Sequence, residues 1–205
     1  MLLIYSQRVE FQDVVRRRRM VRNFEDRPVP PEITDRILRN ALHAPSAGFS
    51  QGWAFLVLEG GDKQRFHDVT FPGDERGAFR WSGVFRAPVV IVCLSHMDAY
   101  LDRYAEPDKG WTDRDRARWP VPYWDIDAGF AALLMLLTAV DAGLGALFFG
   151  IVPERIDAFR GAFGVPEGYT PIGAIAIGYA APDEPSPSLK RGRKPLDEVV
   201  HRRTW

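Results

Sequence analysis

The chain has 205 residues, of which 46% are hydrophobic and 26% charged, and this size and composition predict a single domain over residues 1–205. Its 27 Lys and Arg residues equal its 27 Asp and Glu residues in number, so the formal net charge is zero. Because nucleic-acid-binding proteins carry a basic excess, this balance argues against that class.

The first half of the chain alternates helical and extended patterns. Apolar residues at helical spacing predict helices over residues 10–19 and 32–44. Residues 53–59 are predicted to form a strand, and a helix is predicted over 63–69. The continuous apolar, β-branched run at 88–95 is typical of a strand buried on both faces of a sheet.

A segment of different character occupies residues 98–124. It mixes many charges with aromatic and proline residues, so it is too aromatic for a plain linker and too interrupted by proline for one helix. We expect it to pack over another part of the protein. Residues 125–142 then form the strongest predicted helix, whose hydrophobicity on nearly all sides is typical of a core or a subunit interface.

The rest of the chain continues the alternation. A strand is predicted at 146–151, an amphipathic helix at 153–163 and a strand at 172–181. A linker rich in proline and acidic residues then begins a C-terminal arm at 182–205. Because helices and strands alternate without clean βαβ units, the pattern predicts the α+β class.

The patterns predict neither export nor membrane insertion. The segment Met1–Tyr5 is soon followed by polar residues and lacks the apolar core of a signal peptide. The apolar run at 130–140 is too short to span a membrane. Cys93, the single cysteine, excludes an intrachain disulfide and is expected to be a buried thiol within the predicted strand. We therefore expect a cytoplasmic protein without a membrane partner.

Two basic clusters lie near opposite ends of the chain. Arg18, Arg19 and Arg22 close the first predicted helix, and Arg191 and Arg193 lie in the C-terminal arm. Each cluster alone fits a solvated face or a salt-bridge surface, since cations are favourable at a helix C-terminus. If the fold brings the two together, their guanidinium groups form a clamp for a phosphate.

A second candidate site is the turn Pro45–Gly48, in which small residues and a hydroxyl let a ligand approach the backbone closely. The same turn also fits a plain connection between a helix and a strand. No dinucleotide-binding or P-loop sequence is present, and Ser46 lacks the context of a hydrolase nucleophile. The four histidines are scattered singly, so we expect no metal site.

Four segments, in order along the chain, resemble motifs of the flavin-dependent nitroreductase family. Residues 18–24 (RRMVRNF) are similar to its R-R-S-x-R-x-F opening, and residues 44–53 (APSAGFSQGW) to its A-P-S-x-x-N-x-Q-P-W. Residues 143–150 (GLGALFFG) resemble its G-L-G-x-x-x-x-G strand, and residues 191–200 (RGRKPLDEVV) its closing K-x-R-K-P-L-x-E-V-V. Each motif is moderately specific, and the ordered set covers nearly the whole chain.

The resemblance implies a fold and an assembly. The fold is α+β, with a central, mostly antiparallel sheet flanked by helices, and the assembly is an intertwined homodimer with an FMN at each of two subunit interfaces. The helix at 125–142 would form the dimer core, and the segment at 98–124 would be a lid or wall of the substrate pocket through Trp111, Tyr123 and Trp124. Those aromatic residues equally fit plain packing.

The resemblance also implies the cofactor-binding residues. The FMN phosphate and ribityl chain would be held by Arg18, Arg19, Met20, Arg22, Arg191 and Arg193. The partner subunit's flavin would be contacted by Pro45, Ser46, Ala47 and Phe49, and Gln51 would be a further cofactor-binding residue. Phe149 and Gly150 would lie near the reactive N5 edge of the flavin.

The implied reaction is hydride transfer by a ping-pong mechanism. NAD(P)H would give a hydride to flavin N5 and leave, after which an electron-poor acceptor such as a nitroaromatic or a quinone would take the electrons. Since the cofactor carries this chemistry, we expect no catalytic side-chain acid or base.

Three residues depart from the family pattern. Met20 stands in place of a Ser, Phe49 in place of an Asn and Gly52 in place of a Pro. The Phe49 form is closer to dimethylbenzimidazole synthase, which fragments its own FMN, although that relative carries an Asp at the position of Met20 and a Ser at the position of Phe149. A flavin-fragmenting enzyme and a flavin-binding store or sensor without turnover are therefore the alternatives.

Overall fold

A computed structural model of the protein describes residues 10–205. Helices over this range are α1 (Phe11–Arg17), α2 (Pro31–Ala41), α3 (Gly60–Thr70), α4 (Glu75–Ala78), α5 (Met97–Ala105), α6 (Tyr123–Asp141), α7 (Ile156–Phe163) and α8 (Leu196–Val199). The strands are β1 (Trp53–Glu59), β2 (Val89–His96), β3 (Gly145–Phe149) and β4 (Tyr169–Gly178). Short 3₁₀ turns lie at Ala47–Phe49, Ser82–Arg86, Arg116–Arg118, Pro153–Arg155 and Pro187–Arg191.

The four strands form one sheet in the order β1-β2-β4-β3, and every neighbouring pair is antiparallel. This arrangement confirms the predicted α+β class with an antiparallel sheet. The strand predicted at 53–59 has the same bounds in the structure, and β2 and β4 begin within three residues of their predicted starts.

Both faces of the sheet are covered by helices. Along β2, Val89, Ile91 and Cys93 point toward α2 and α6, and the alternating residues Val90 and Val92 point toward α3 and α7. The prediction of a strand buried on both faces is thus confirmed. Cys93 is fully buried, and burial raises the pKa of its thiol to about 12, so it is protonated at neutral pH.

The long helix α6 is the centre of the larger core. Ten of its residues are buried, and it packs against α2 and all four strands of the sheet. By length and composition, α6 is long and apolar enough to cross a membrane. The apolar run at 130–140, which is too short for a membrane span, is only part of this helix. Its burial against the sheet is the pattern of a core helix, and a fully buried side chain such as Met135 contributes roughly 2–3 kcal/mol to folding.

Each of the five predicted helices begins or ends up to three residues from its expected bounds, and two of these shifts, in α2 and α3, have local causes. α2 ends at Ala41 rather than at residue 44, and a turn at residues 42–43 leads to Ala44, which Pro45 disfavours in helical conformation. Helix α3 begins at Gly60, immediately after β1, rather than at residue 63. Gly60 makes the change of direction between strand and helix at a φ of 51°, a conformation that glycine adopts without strain.

The segment at 98–124 is divided into two parts. Its first part belongs to α5, because no proline occurs before Pro107 and the helix is free to form. The second part is a loop with one 3₁₀ turn that leads into α6. The charges and prolines of the whole segment concealed this helix in the sequence.

Candidate functional site

The two basic clusters meet in the folded chain. The segment after α1 lies along the edge of the sheet, where the Val21 N–H donates to the Ala146 carbonyl at 3.0 Å. The same segment is joined to the end of β4, since the Ala181 N–H donates to the Asn23 carbonyl at 3.0 Å. This backbone pairing brings residues 182–193 beside the arginines that follow α1.

The result is a cavity of about 480 Å³, which we call the arginine clamp after Arg18, Arg19, Arg22 and Arg193 in its lining. The other lining residues are Met20, Asp183, Pro185, Ser186, Ser188 and Leu189. Arg191, which the sequence analysis placed with these residues, is exposed and is not part of the lining. Four guanidinium groups and two hydroxyls are donors suited to a phosphate dianion.

A carboxylate lies inside the clamp. Asp183 accepts the backbone N–H of Arg22 at 2.8 Å and lies 3.6 Å from an Nη atom of Arg19. Its side chain is only 5% exposed. Sequence reasoning missed Asp183, because an acidic residue in a proline-rich linker gives no signal of its contact with a residue 161 positions away.

The small-residue turn forms a strained loop at 45–52. Gly48, Phe49 and Gln51 have φ values of 61°, 56° and 50°, and only the glycine adopts this region without strain. The Gln51 N–H donates to the Ser46 hydroxyl at 3.0 Å and helps to close the loop. The Phe49 side chain is 74% exposed, so the loop presents a large apolar ring to its surroundings.

A buried carboxylate anchors this loop to α6. The Oδ2 atom of Asp127 accepts the Ala47 N–H and the Tyr100 hydroxyl, each at 2.8 Å, and its residue is 3% exposed. Burial and this bond raise the pKa of Tyr100, which therefore stays protonated and donates. Sequence reasoning missed both residues. The available signal was Asp127 itself, an acidic residue that follows Asp125 at the start of a strongly apolar helix.

Helix α5 packs directly on the loop. A Cβ atom on Gly48 would lie 2.6 Å from the Tyr104 ring, and one on Gly52 would lie 2.6 Å from the His96 carbonyl oxygen and overlap the Tyr100 ring. Gly52 stands in place of a proline in the motif at 44–53. A proline does not fit here, because the Tyr100 ring fills the space that its Cβ atom would need. The loop is a tightly packed connection rather than an open turn.

Aromatic residues of the 98–124 segment and the start of α6 form a cluster beside the loop. Trp119 lies at its centre, with ring centroids 4.6 Å from Tyr104 and 5.5 Å from Trp111. Tyr123 and Trp124, at 5.8 Å and 6.1 Å, complete the side that faces α6. The proposed pocket residues Trp111, Tyr123 and Trp124 are thus brought together, although none lines the arginine clamp.

Phe149 and Gly150 lie at the end of β3. The bridge between Met20 and Ala146 places the clamp beside this strand, and Phe149 follows three residues later, about 10 Å along an extended chain. Phe149 is half-buried against Phe66, with ring centroids 6.3 Å apart, and Gly150 is exposed. A ligand held at the clamp and extending along β3 would therefore pass these two residues.

No histidine lines the clamp within the part of the chain that the structure describes, although the His96 backbone N–H donates to the Gly52 carbonyl of the loop at 2.9 Å. His96 stacks on Tyr169 at 4.4 Å. His67 is 1% exposed between Phe66 and Phe85, and burial lowers its pKa to about 4. Within residues 10–205, no three His, Cys, Asp or Glu side chains cluster as metal ligands do.

Comparison with known proteins shows the family to which the chain belongs. The family model "Nitroreductase family" matches residues 15–76 and 61–179. A protein of Methanothermobacter thermautotrophicus with the provisional name NADH dehydrogenase/NAD(P)H nitroreductase is 30% identical over 178 residues, covering 85% of this chain and 79% of the relative. An NADH dehydrogenase of Thermus thermophilus is 29% identical over 201 residues, covering 90% and 91%.

Solved structures share the fold. A nitroreductase family protein of Clostridium difficile superposes with a TM-score of 0.72 at 23% identity, covering 96% of this chain and all of that one. A protein of Exiguobacterium sibiricum, described provisionally as a nitroreductase and solved in complex with FMN, gives 0.69 at 24% identity, covering 94% and 97%.

Proposed function

Because the chain belongs to the nitroreductase family, we propose that it is an NAD(P)H-dependent flavin oxidoreductase that uses FMN to reduce an electron-poor small molecule, such as a nitroaromatic or a quinone. The observation that carries the proposal is the arginine clamp, in which residues near opposite ends of the chain surround one cavity. The names of relatives support the reductase activity and the nicotinamide donor. We further propose a ping-pong order and a cytoplasmic location.

The chemistry of the clamp fits the phosphate end of FMN. Arg18, Arg19, Arg22 and Arg193 offer forked donors, and guanidinium groups bind a phosphate through paired, charge-assisted hydrogen bonds. Met20 lacks the hydroxyl of the Ser in the family motif. Ser186 and Ser188 line the same cavity and offer hydroxyl donors in its place. The donor set therefore suits a phosphate, although Arg191 contributes nothing to the lining.

Bound FMN supplies the hydride-accepting chemistry. The residues of this chain bind and place it: the clamp holds the phosphate, and Phe149 and Gly150 border the extended path along β3. Pro45, Ser46, Ala47, Phe49 and Gln51 would complete the partner subunit's site. We assign no side chain of the described residues as a proton donor or acceptor in the reaction.

We also propose a homodimer, supported by an apolar face on α1, α2 and α6. Ile126, Phe130 and Leu133 follow one another at helical spacing on α6 and are 37%, 43% and 45% exposed. Phe11 and Leu42 extend the same apolar character, at 65% and 57% exposed. A second copy would cover this face, which is larger than solitary apolar side chains on a monomer surface.

The C-terminal arm supports the same assembly. All of its residues from 187 to 205 are exposed, and they include Leu189, Leu196, Val199 and Trp205. Apolar side chains on an extended arm gain burial only by lying against another surface. The arm and the apolar face would cover each other in an intertwined pair, and Trp111, Tyr123 and Trp124 would wall the substrate pocket near the interface.

The first test is an absorption spectrum of the purified protein, repeated without oxygen after addition of NADH or NADPH. A flavin spectrum that bleaches within seconds supports the proposal, and the faster donor identifies the preferred nucleotide. A flavin that stays oxidised with both donors favours the store or sensor. Loss of the flavin spectrum in the presence of oxygen favours fragmentation, and failure to take up added FMN contradicts the cofactor assignment.

A further inference from the structure

A second cavity, of about 300 Å³, adjoins the arginine clamp. Its lining includes Arg22 and Asp183, which also line the clamp, so the two cavities share a wall. The remaining wall carries Arg80, Trp81 and Arg86. The sequence motifs did not point to this cavity, and the proposed FMN site does not use it.

The wall of this cavity combines a flat aromatic ring with guanidinium groups. The Cζ atoms of Arg22 and Arg80 lie 5.0 Å and 5.5 Å from the centre of the Trp81 ring. These are cation–π distances, and among residues 10–205 neither guanidinium group forms an ion pair with a carboxylate. Arg86 is fixed separately, because its Nε donates to the Phe24 carbonyl at 2.9 Å.

The cavity also contains acidic groups. Asp183 is already bonded to the Arg22 N–H, whereas Glu184 is an exposed residue of the lining. The cavity carries a net positive charge, because three guanidinium groups in its lining outnumber its two carboxylates, and this charge attracts a phosphate. A carboxylate can also accept hydrogen bonds from ribose hydroxyls. The Trp81 ring, which the Arg22 and Arg80 guanidinium groups approach, adds an apolar, aromatic surface that a base can contact. This mixed set suits a nucleotide better than a simple inorganic anion.

The position of the cavity connects it to the proposed reaction site. Trp81 packs against the same small hydrophobic cluster as Met20 and Phe149. Met20 lines the clamp, and Phe149 lies at the end of β3. The clamp, the end of β3 and the second cavity are therefore arranged around one cluster, within reach of an extended dinucleotide.

We propose that this cavity binds an adenosine phosphate group, with Arg80 and Arg86 contacting the phosphate and Trp81 contacting the adenine base. The inference rests on the proposed function, because the adenosine phosphate group would come from NAD(P)H, the proposed hydride donor. The same group also occurs in FAD, where it would extend from a phosphate held in the clamp. Both sources, NAD(P)H and FAD, predict that the cavity binds an adenosine phosphate group. Further measurements distinguish one source from the other.

The test is calorimetric titration of the purified protein with AMP. We expect AMP to bind the wild-type protein, and Arg80→Ala to weaken that binding about tenfold through loss of one charge-assisted contact. Arg65→Ala is the matched control, because the Arg65 guanidinium lies 5.3 Å from the Phe163 ring on a different part of the surface. Absence of AMP binding, or equal binding by wild type and Arg80→Ala, overturns the proposal.

Two further measurements separate the sources. A higher KM for NAD(P)H in Arg80→Ala, with unchanged FMN content, supports the donor. Weaker retention of added FAD, with an unchanged KM, supports the adenosine end of FAD instead. Because AMP titration needs neither flavin nor turnover, a protein that binds AMP but holds no flavin would contradict the proposed function alone.

Discussion

The arginine clamp and the loop at 45–52 serve the same proposed cofactor but are built by opposite means. The clamp consists of long charged side chains around an open cavity, placed by backbone pairing at the sheet edge. The loop consists of small residues in strained conformations, held by a buried carboxylate and by tightly packed tyrosines. Charge at the clamp is expected to govern affinity, and packing at the loop is expected to govern stability.

The largest expected effect is a loss of folding stability on acidification. It limits tests of the clamp and the loop to the pH range in which the fold keeps its stability. Above pH 6.5, His67 is neutral in the folded and unfolded chains and its burial has no pH-dependent effect. Below 6.5 the unfolded chain takes up a proton that the folded chain binds only near pH 4, so the free energy of unfolding falls by roughly 3 kcal/mol over this window.

Urea unfolding at pH 7 and pH 4.5 measures this loss. The variant His67→Leu removes the titrating group and should lose less stability on acidification than the wild type. His201→Leu, at an exposed position, should behave as the wild type does. An unchanged acid response in His67→Leu would show that other groups control it.

Gly52→Ala tests the packing of the loop. The added methyl group would overlap the Tyr100 ring and crowd the His96 carbonyl, so we expect a loss of about 3 kcal/mol in unfolding free energy. Gly161→Ala in α7 is the matched control, because a Cβ atom there meets nothing within 4 Å. Equal stability of the two variants would mean that the loop tolerates expansion.

Asp127→Ala tests the buried anchor. It leaves the Ala47 N–H and the Tyr100 hydroxyl without their acceptor, which should cost about 2–3 kcal/mol of stability and lower flavin retention. Asp127→Asn keeps an acceptor oxygen and should recover most of both losses. If Asn fails to rescue retention while restoring stability, the charge of the carboxylate matters beyond the hydrogen bonds.

Arg22→Ala tests the clamp. Removing one guanidinium should weaken FMN binding by about 2 kcal/mol, roughly thirtyfold, with little change in unfolding free energy. Arg116→Ala, in the loop before α6, is the control. Flavin content after dialysis at increasing salt measures the effect, and equal content in the two variants would contradict the assigned phosphate site.

The smallest expected effect concerns Asp183. Because its carboxylate lies within the clamp, Asp183→Asn should tighten FMN binding by about 1 kcal/mol, while the amide oxygen still accepts the Arg22 N–H. Glu184→Gln, on the exposed lip, should change binding less. Weaker binding in Asp183→Asn would instead show that the carboxylate orients Arg19.

Patterns local in the sequence predicted much of the fold. The strand at 53–59 and the strand buried on both faces follow from runs of apolar residues, and α6 follows from its continuous hydrophobicity. The helix α5 was missed because the whole 98–124 segment was judged by its prolines and charges. Helix ends at Ala41 and Gly60 depend on single residues, which periodicity does not resolve.

The site was predictable only where residue type carries the chemistry. Arginines reveal an anion site, so Arg18, Arg22 and Arg193 were found from the sequence and lie together in the structure. Asp127 and Asp183 act through partners 80 and 161 positions away, and nothing local marks such contacts. Roles that the resemblance implies for Phe49, Gln51 and the three pocket aromatics remain predictions.

The separation between Arg22 and Asp183 also has a consequence for the nascent chain. At a synthesis rate of about 5–20 residues per second, the 161 positions between them take roughly ten to thirty seconds to emerge from the ribosome. During that interval the arginines that follow α1 are exposed without the segment that completes their cavity. If the clamp holds the cofactor as we propose, loading is a late event that follows the translation of residue 193.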